Sequence, residues 1–105
     1  MQTSSLAADE VGKRIVARRR VVEFTQERLA EKAGQDLLTI RRAEHGATDL
    51  RLSTLVAIAG ALGMDPGELV TGLTAEMVPV RQPRSENRRR LKAERSQHPD
   101  AERGA

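Results

Sequence analysis

The stretch from Thr25 to Gly46, TQERLAEKAGQDLLTIRRAEHG, decides the fold. Thr25 stands where a helix needs an N-cap, because its hydroxyl can accept from an amide one turn on. Leu29, Ala30 and Ala33 then supply one short apolar side. Gly34 stops this helix, since glycine tolerates the left-handed backbone of a helix end. Asp36 can cap a second helix almost at once. Ile40 and Ala43 face inward on that helix, and Gly46 ends it. Two short helices with so little chain between them must cross steeply, and the second projects with its N-terminus exposed.

Before this pair, a helix is predicted over about 9–22. Val11, Ile15 and Val22 form its inner stripe, with the Arg18 stem alongside, and Lys13, Arg14 and Arg20 lie on its outer side. Phe24 should plug the core between the first and second helices. Residues 47–51 read as a polar loop. The fourth helix has the clearest period: Leu52, Leu55, Val56, Ala59 and Leu62 follow i, i+3, i+4, i+7 spacing, with Ile58 on a second flank and Gly63 as the stop. DPGE at 65–68 announces a fifth helix, with Asp65 as cap, Pro66 in its first position and Glu68 completing a capping box. Leu69, Val70 and Leu73 should close the core.

The division that follows is a flexible arm over 1–8, a compact helical domain over 9–73 and a basic, largely disordered tail over 74–105. MVPVRQP at 77–83 reads as an extended linker because two prolines break any helix. SENRRRLKAERSQ at 85–97 offers only Leu91 and Ala93 for burial. No internal repeat is visible.

Composition narrows the class. The 105 residues suffice for one domain, and with one aromatic residue, Phe24, the interior must be built from Leu, Val, Ile and Ala. There is no cysteine, hence no disulfide framework and no thiolate metal site. No window reaches the roughly 18 apolar residues of a membrane span, and the first ten residues lack the basic and apolar regions of a signal peptide. These features suggest a soluble, cytoplasmic protein. The net charge of +3 is uneven: residues 79–105 hold eight Lys/Arg against four Asp/Glu, and residues 1–78 hold ten against eleven. The high pI therefore belongs to the tail. Arg outnumbers Lys by fifteen to three, and Arg suits bidentate contacts to phosphate and guanine. Codon usage in a GC-rich genome accounts equally for that bias. The two histidines, His45 and His98, form no nucleophile–base or metal-ligand spacing, and no glycine-rich phosphate loop is present, so neither catalysis, a metal nor a cofactor is expected.

Over residues 11–73, about 60% of the chain, the sequence resembles the repressor/Cro-type helix-turn-helix family, also called the xenobiotic-response-element family. The resemblance rests on VGKRI at 11–15, Arg19, TQERLAEKAG at 25–34, TIRRAEHG at 39–46 and LVAIAGALGMDPGELV at 55–70. Each motif is weak alone, and their order and spacing together are specific. It implies an all-α, five-helix, lambda-repressor-like domain that binds double-stranded DNA, with the third helix, about 36–45, in the major groove.

The resemblance also implies roles. Thr25 and Gln26 sit where the second helix begins against a phosphate, and Gln26 can brace the first reader of the third helix. Arg19 and Glu44 match a structural salt bridge between the first and third helices. The DNA-facing set is Asp36, Leu37, Leu38, Thr39, Arg41 and Arg42, with His45 and Arg51 near the backbone. Arg42 is placed for a guanine, Arg41 and Thr39 for phosphate. Leu37 and Leu38 depart from the polar residues usual there; leucine can pack only on a thymine methyl, and Leu37 also suits the core edge. Glu23 replaces the usual turn glycine, and a positive φ there would cost about 1 kcal/mol.

The function so implied is a sequence-specific transcriptional regulator, repressor-like and homodimeric, associated with a bacterial nucleoid. Another reading is a protein-interaction module: an antitoxin with a partner-binding tail, or a coactivator bridging transcription factors. The two leucines of the third helix and the charged tail favour it.

Overall fold

The computed structural model describes residues 5–79. They form five α-helices and no strand: α1 Leu6–Val21, α2 Gln26–Ala33, α3 Leu37–His45, α4 Leu52–Ala61 and α5 Pro66–Val70, followed by a short 3-10 turn, Ala75–Met77. Local chemistry sets most of these bounds. Thr25 Oγ1 accepts from the Arg28 amide at 2.9 Å, and Asp65 Oδ1 accepts from the Gly67 amide at 3.1 Å. Gly34 and Gly46 end α2 and α3 with φ of 65° and 67°. The left-handed turn lets the Gln35 and Ala47 amides reach back to the Ala30 and Arg42 carbonyls.

Several expectations need correction. α1 starts at Leu6, because Ser5 Oγ accepts from the Ala8 amide at 2.9 Å and takes the cap before Asp9 can. Residues 5–8 are thus not part of a loose arm; residues 1–4 lie outside the described residues. Asp36 occupies the N-cap position of α3, but its side chain makes no capping hydrogen bond. At α5 the cap is the Asp65 bond alone, without a return bond from Glu68 among the described residues. Beyond Thr74 the chain still makes a 3-10 turn closed by the Met77 and Val78 amides. The expected tail over 80–105 lies outside the described residues.

The core is small and aliphatic: Val11, Ile15, Leu29, Ala30, Ile40, Ala43, Ile58, Ala59, Leu62 and Leu69, with Val22, Phe24, Ala33, Leu55 and Leu73 packed against it. α4 presents Leu55, Ile58, Ala59 and Leu62 inward, whereas Leu52 and Val56 are 74% and 45% exposed. α4 is apolar nearly all round, so two stripes satisfied the same helical spacing, and packing against α2 and α5 selected one of them. Val70 likewise turns outward beside the buried Leu69.

α1 packs chiefly on α3, and one residue permits it. Gly12 is buried, and a Cβ there would stand 2.5 Å from the Ala43 carbonyl oxygen and 2.7 Å from that of Glu44. The two backbones meet where no other residue fits. Seven residues on, Arg19 locks the same pair of helices. Its Nε and Nη2 donate to the two carboxylate oxygens of Glu44 at 2.6 and 3.1 Å, and its Nη1 donates to the Phe24 carbonyl at 2.9 Å. The Glu44 side chain is 4% exposed. Gln26 Nε2 adds a bond to Glu44 Oε1 at 2.9 Å, so one carboxylate ties α1, the start of α2 and α3.

Two further arginines of α1 are structural. Arg14 Nη1 donates to the Thr71 carbonyl at 2.7 Å and Arg18 Nε to the Leu62 carbonyl at 3.1 Å. Thr71 and Leu62 are the C-caps of α5 and α4, whose last carbonyls attract cations. Arg14, expected on the outer side, is half-buried for this reason.

Three stability outcomes follow. Gly12→Ala should cost about 1–3 kcal/mol or more, because the methyl meets unyielding backbone; an unchanged denaturant midpoint would refute the close approach. Glu23 does adopt positive φ, 61°, so Glu23→Gly should stabilise by up to about 1 kcal/mol and raise Tm by several degrees; a lowered Tm would mean Glu23 makes compensating contacts. Truncating Arg19 or Glu44 should each cost about 3 kcal/mol, with a double-mutant coupling above about 0.5 kcal/mol. Additive losses would show that the pair carries no stability.

Candidate nucleic-acid interface

With Ile40 and Ala43 buried and Glu44 drawn to Arg19, the remaining side of α3 has one direction left, outward. Helical spacing puts Leu38, Arg41, Arg42 and His45 on that side, and all four are exposed. Leu37 and Thr39 are half-buried at its edges. The buried Glu44 fixes the rotation of α3 about its own axis, and therefore what the outer side presents.

Thr25 and Gln26 open α2 close to this surface. The Thr25 hydroxyl is committed to the Arg28 amide, which leaves the first amides of α2 as the unsatisfied donors an anion would meet. The Gln26 side-chain amide donates one N–H to Glu44 Oε1 at 2.9 Å. That bond couples the start of α2 to α3, a link that spacing along the chain gave no sign of.

Two clefts flank the outer side of α3. One, of about 290 Å³, gathers Thr39 and Arg42 of α3 with Gln35, Thr48, Asp49, Leu50, Arg51 and Thr54. Its hydroxyls and guanidinium groups suit oxyanions. It joins Arg51 to Thr39 and Arg42, as a shared interface requires, and adds Gln35, Thr48 and Thr54, which the sequence reading passed over. Their only sequence signal is polarity, in loops for Gln35 and Thr48 and on the first turn of α4 for Thr54, and it took the fold to bring 48–54 beside 39–42. The other cleft, of about 400 Å³, lies among Leu38, Arg41, Arg42, His45 and Ala47, and its walls are almost wholly apolar.

The charge pattern matches. Arg28 pairs with Glu31 at 2.9 Å, Lys13 with Asp9 at 3.4 Å and Arg14 with Glu10 at 3.1 Å. Arg41, Arg42 and Arg51 have no acidic partner among the described residues. Charge left unpaired within a domain is available to an external anion. Among the described residues no group of three His, Cys, Asp or Glu side chains could hold a metal ion, and no helix is long and apolar enough to cross a membrane.

Comparison with known proteins agrees with this geometry. No curated protein matches the chain significantly. Among solved structures, the restriction-modification controller protein C.AhdI from Aeromonas hydrophila is 29% identical, with a TM-score of 0.58 over 59% of this chain and 94% of that one. The P22 c2 repressor, solved in complex with a synthetic operator, is 27% identical, with a TM-score of 0.56 over 70% of this chain and all of that one. A hypothetical transcription factor from Neisseria, NHTF, shares the fold at 20% identity, with a TM-score of 0.58 over 80% of this chain and 83% of that one. The helix-turn-helix family pattern matches residues 16–69, from the second half of α1 to the buried Leu69, and the chain belongs to that family.

Proposed function

We propose that this chain is a sequence-specific transcriptional regulator that lays the outer side of α3 in the major groove of double-stranded DNA. The observation that carries the proposal is the pair Arg41 and Arg42, exposed and without acidic partners among the described residues, on a helix whose rotation is fixed by the buried Glu44. In this reading the N-terminus of α2, at Thr25 and Gln26, holds one phosphate, and Arg51, with Thr39 and His45, reaches others. Asp36, Leu37 and Leu38 open α3 nearest the base edges. Arg42 reads a guanine through O6 and N7, and Arg41 meets the backbone. A phosphate at Arg51 and a guanine at Arg42 would be neighbours, since one cleft holds both residues.

A single short helix touches too few bases for useful discrimination, so the chain would act as a homodimer on a near-palindromic site. Leu52 and Val56 of α4 and Val70 of α5, all exposed, would supply apolar surface for the second copy. Repression by occupancy, a nucleoid location, and non-specific affinity from the basic residues of 80–105 complete the reading; no catalytic step is assigned. The second reading, a protein-interaction module, is favoured by one observation, the 54% exposure of Leu38 on α3.

Selection of bound sites from random DNA tests the proposal. A defined consensus is expected, and capture of no sequence above background would overturn it in favour of the interaction module. On the selected site, Arg42→Ala should weaken binding by about 1–3 kcal/mol and relax preference at one base position. Equal weakening on every DNA sequence would assign Arg42 to phosphate.

A further inference from the structure

Past Leu73, where the core is already closed, the chain makes the 3-10 turn Ala75–Met77, in which no residue is buried. The turn is nonetheless well fastened. The Met77 and Val78 amides donate to the Thr74 and Ala75 carbonyls at 3.0 and 3.1 Å. Hydrogen bonds from its own amide and from the Thr74 hydroxyl hold the Glu76 carboxyl below the usual carboxylate range. Upstream, Arg14 Nη1 holds the Thr71 carbonyl at 2.7 Å. The chain is thereby turned back onto α1. Val78, extended at φ −118° and ψ 127°, reaches a groove of about 300 Å³. The other apolar walls of that groove are Ala8 and Val11 of α1, Leu50, Leu55 of α4 and Val70 of α5. Val78 is 51% exposed, so it borders the groove without filling it.

We propose that this groove seats the chain's own continuation, with the Val80 side chain as its occupant. The direction of the chain picks Val80 out. A residue before proline is held extended, as Val78 is before Pro79. In extended chain alternate residues share a face and stand roughly 7 Å apart, so Val80 follows Val78 onto the groove. Pro79, between them, carries no amide that would need a partner there. Past Val80 the sequence runs RQPRSENRRR, and the next aliphatic residue is Leu91. A valine tethered two residues from its seat meets it at high effective concentration, with little loop to close. A second copy of the chain is a poorer occupant, because a stable dimer buries roughly 800 Å² on each partner and a groove of this volume takes little more than one side chain. The seat also has a consequence beyond itself. Thr48, Asp49 and Leu50 line both this groove and the cleft that holds Arg42 and Arg51. A seated Val80 braces that loop from its far side, and the basic residues that follow leave the domain beside the cleft. None of this depends on what α3 binds.

The chain has no cysteine of its own, so disulfide cross-linking reports the seat directly. In the full chain, Ala8→Cys is combined with Val80→Cys or, separately, with Arg81→Cys, and disulfide formation is timed in a dilute redox buffer. Cysteine keeps much of the apolar character of valine, whereas position 81 falls on the opposite face of an extended segment. The bond to position 80 should form several-fold faster than the bond to position 81, with circular dichroism confirming that both variants keep their helices. A second readout leaves the groove walls untouched: Val80→Ser should speed amide hydrogen exchange at 48–50 several-fold over the unsubstituted chain. Equal cross-linking rates at 80 and 81 would overturn the proposal, as would unchanged exchange in Val80→Ser. Disulfides formed between chains in place of within one would overturn it too, and would make the groove an interface between copies.

Discussion

The contact between α1 and α3 is the constraint on which the rest depends. At Gly12 the two backbones approach until a single methyl would collide with the Ala43 and Glu44 carbonyls. Close approach leaves no room for large side chains at the crossing, which suits a chain whose interior is Ile, Leu, Val and Ala with one peripheral Phe. It also brings Glu44 under α1, where Arg19 meets it with two hydrogen bonds. A carboxylate buried this deeply is tolerable because Arg19 and Gln26 satisfy it. The ion pair thus specifies orientation: α3 can be rotated only so that Leu38, Arg41, Arg42 and His45 face out.

The first helix acts as a strut. Arg14 and Arg18 each reach the carbonyl where another helix ends, at Thr71 and Leu62, and Arg19 reaches the Phe24 carbonyl in the turn before α2. Guanidinium groups neutralise the negative ends of α5 and α4 and hold them against α1 without adding to the apolar core. In a domain this small, with little apolar area to bury, such fixings position short helices that packing alone would leave loose. Arginine therefore stands in two settings among the described residues: Arg14, Arg18 and Arg19 of α1 fasten the fold, and Arg41 and Arg42 of α3 are exposed without an acidic partner. The richness in arginine alone could not separate the two.

The binding side inherits its rigidity from these contacts. The start of α2 and the outer side of α3 are coupled through the bond from Gln26 to Glu44, so the surface proposed to meet DNA is built as one unit. Preset spacing between phosphate and base contacts is what lets a regulator of this family hold register on a duplex.

The sequence by itself determined the helices and where they end. Thr25, Gly34, Gly46, Asp65 and Pro66 act within one turn of their own position, so their effect is legible without neighbours. It also indicated the Arg19–Glu44 pair and the positive φ at Glu23, through the family resemblance. Tertiary structure decided what depends on partners distant in sequence. The inward stripe of α4 fell to Leu55, Ile58, Ala59 and Leu62 because an all-apolar helix fits several stripes equally well by period. The demand for glycine at position 12 exists only where α3 crosses it. Arg14 read as a surface cation until the Thr71 carbonyl was placed beside it, and Thr48, Arg51 and Thr54 joined Thr39 and Arg42 only when the 47–51 loop and the start of α4 came to rest beside α3. Local capping and periodicity are written in neighbouring residues; contacts across the fold are not, because each depends on where a partner many residues away comes to rest.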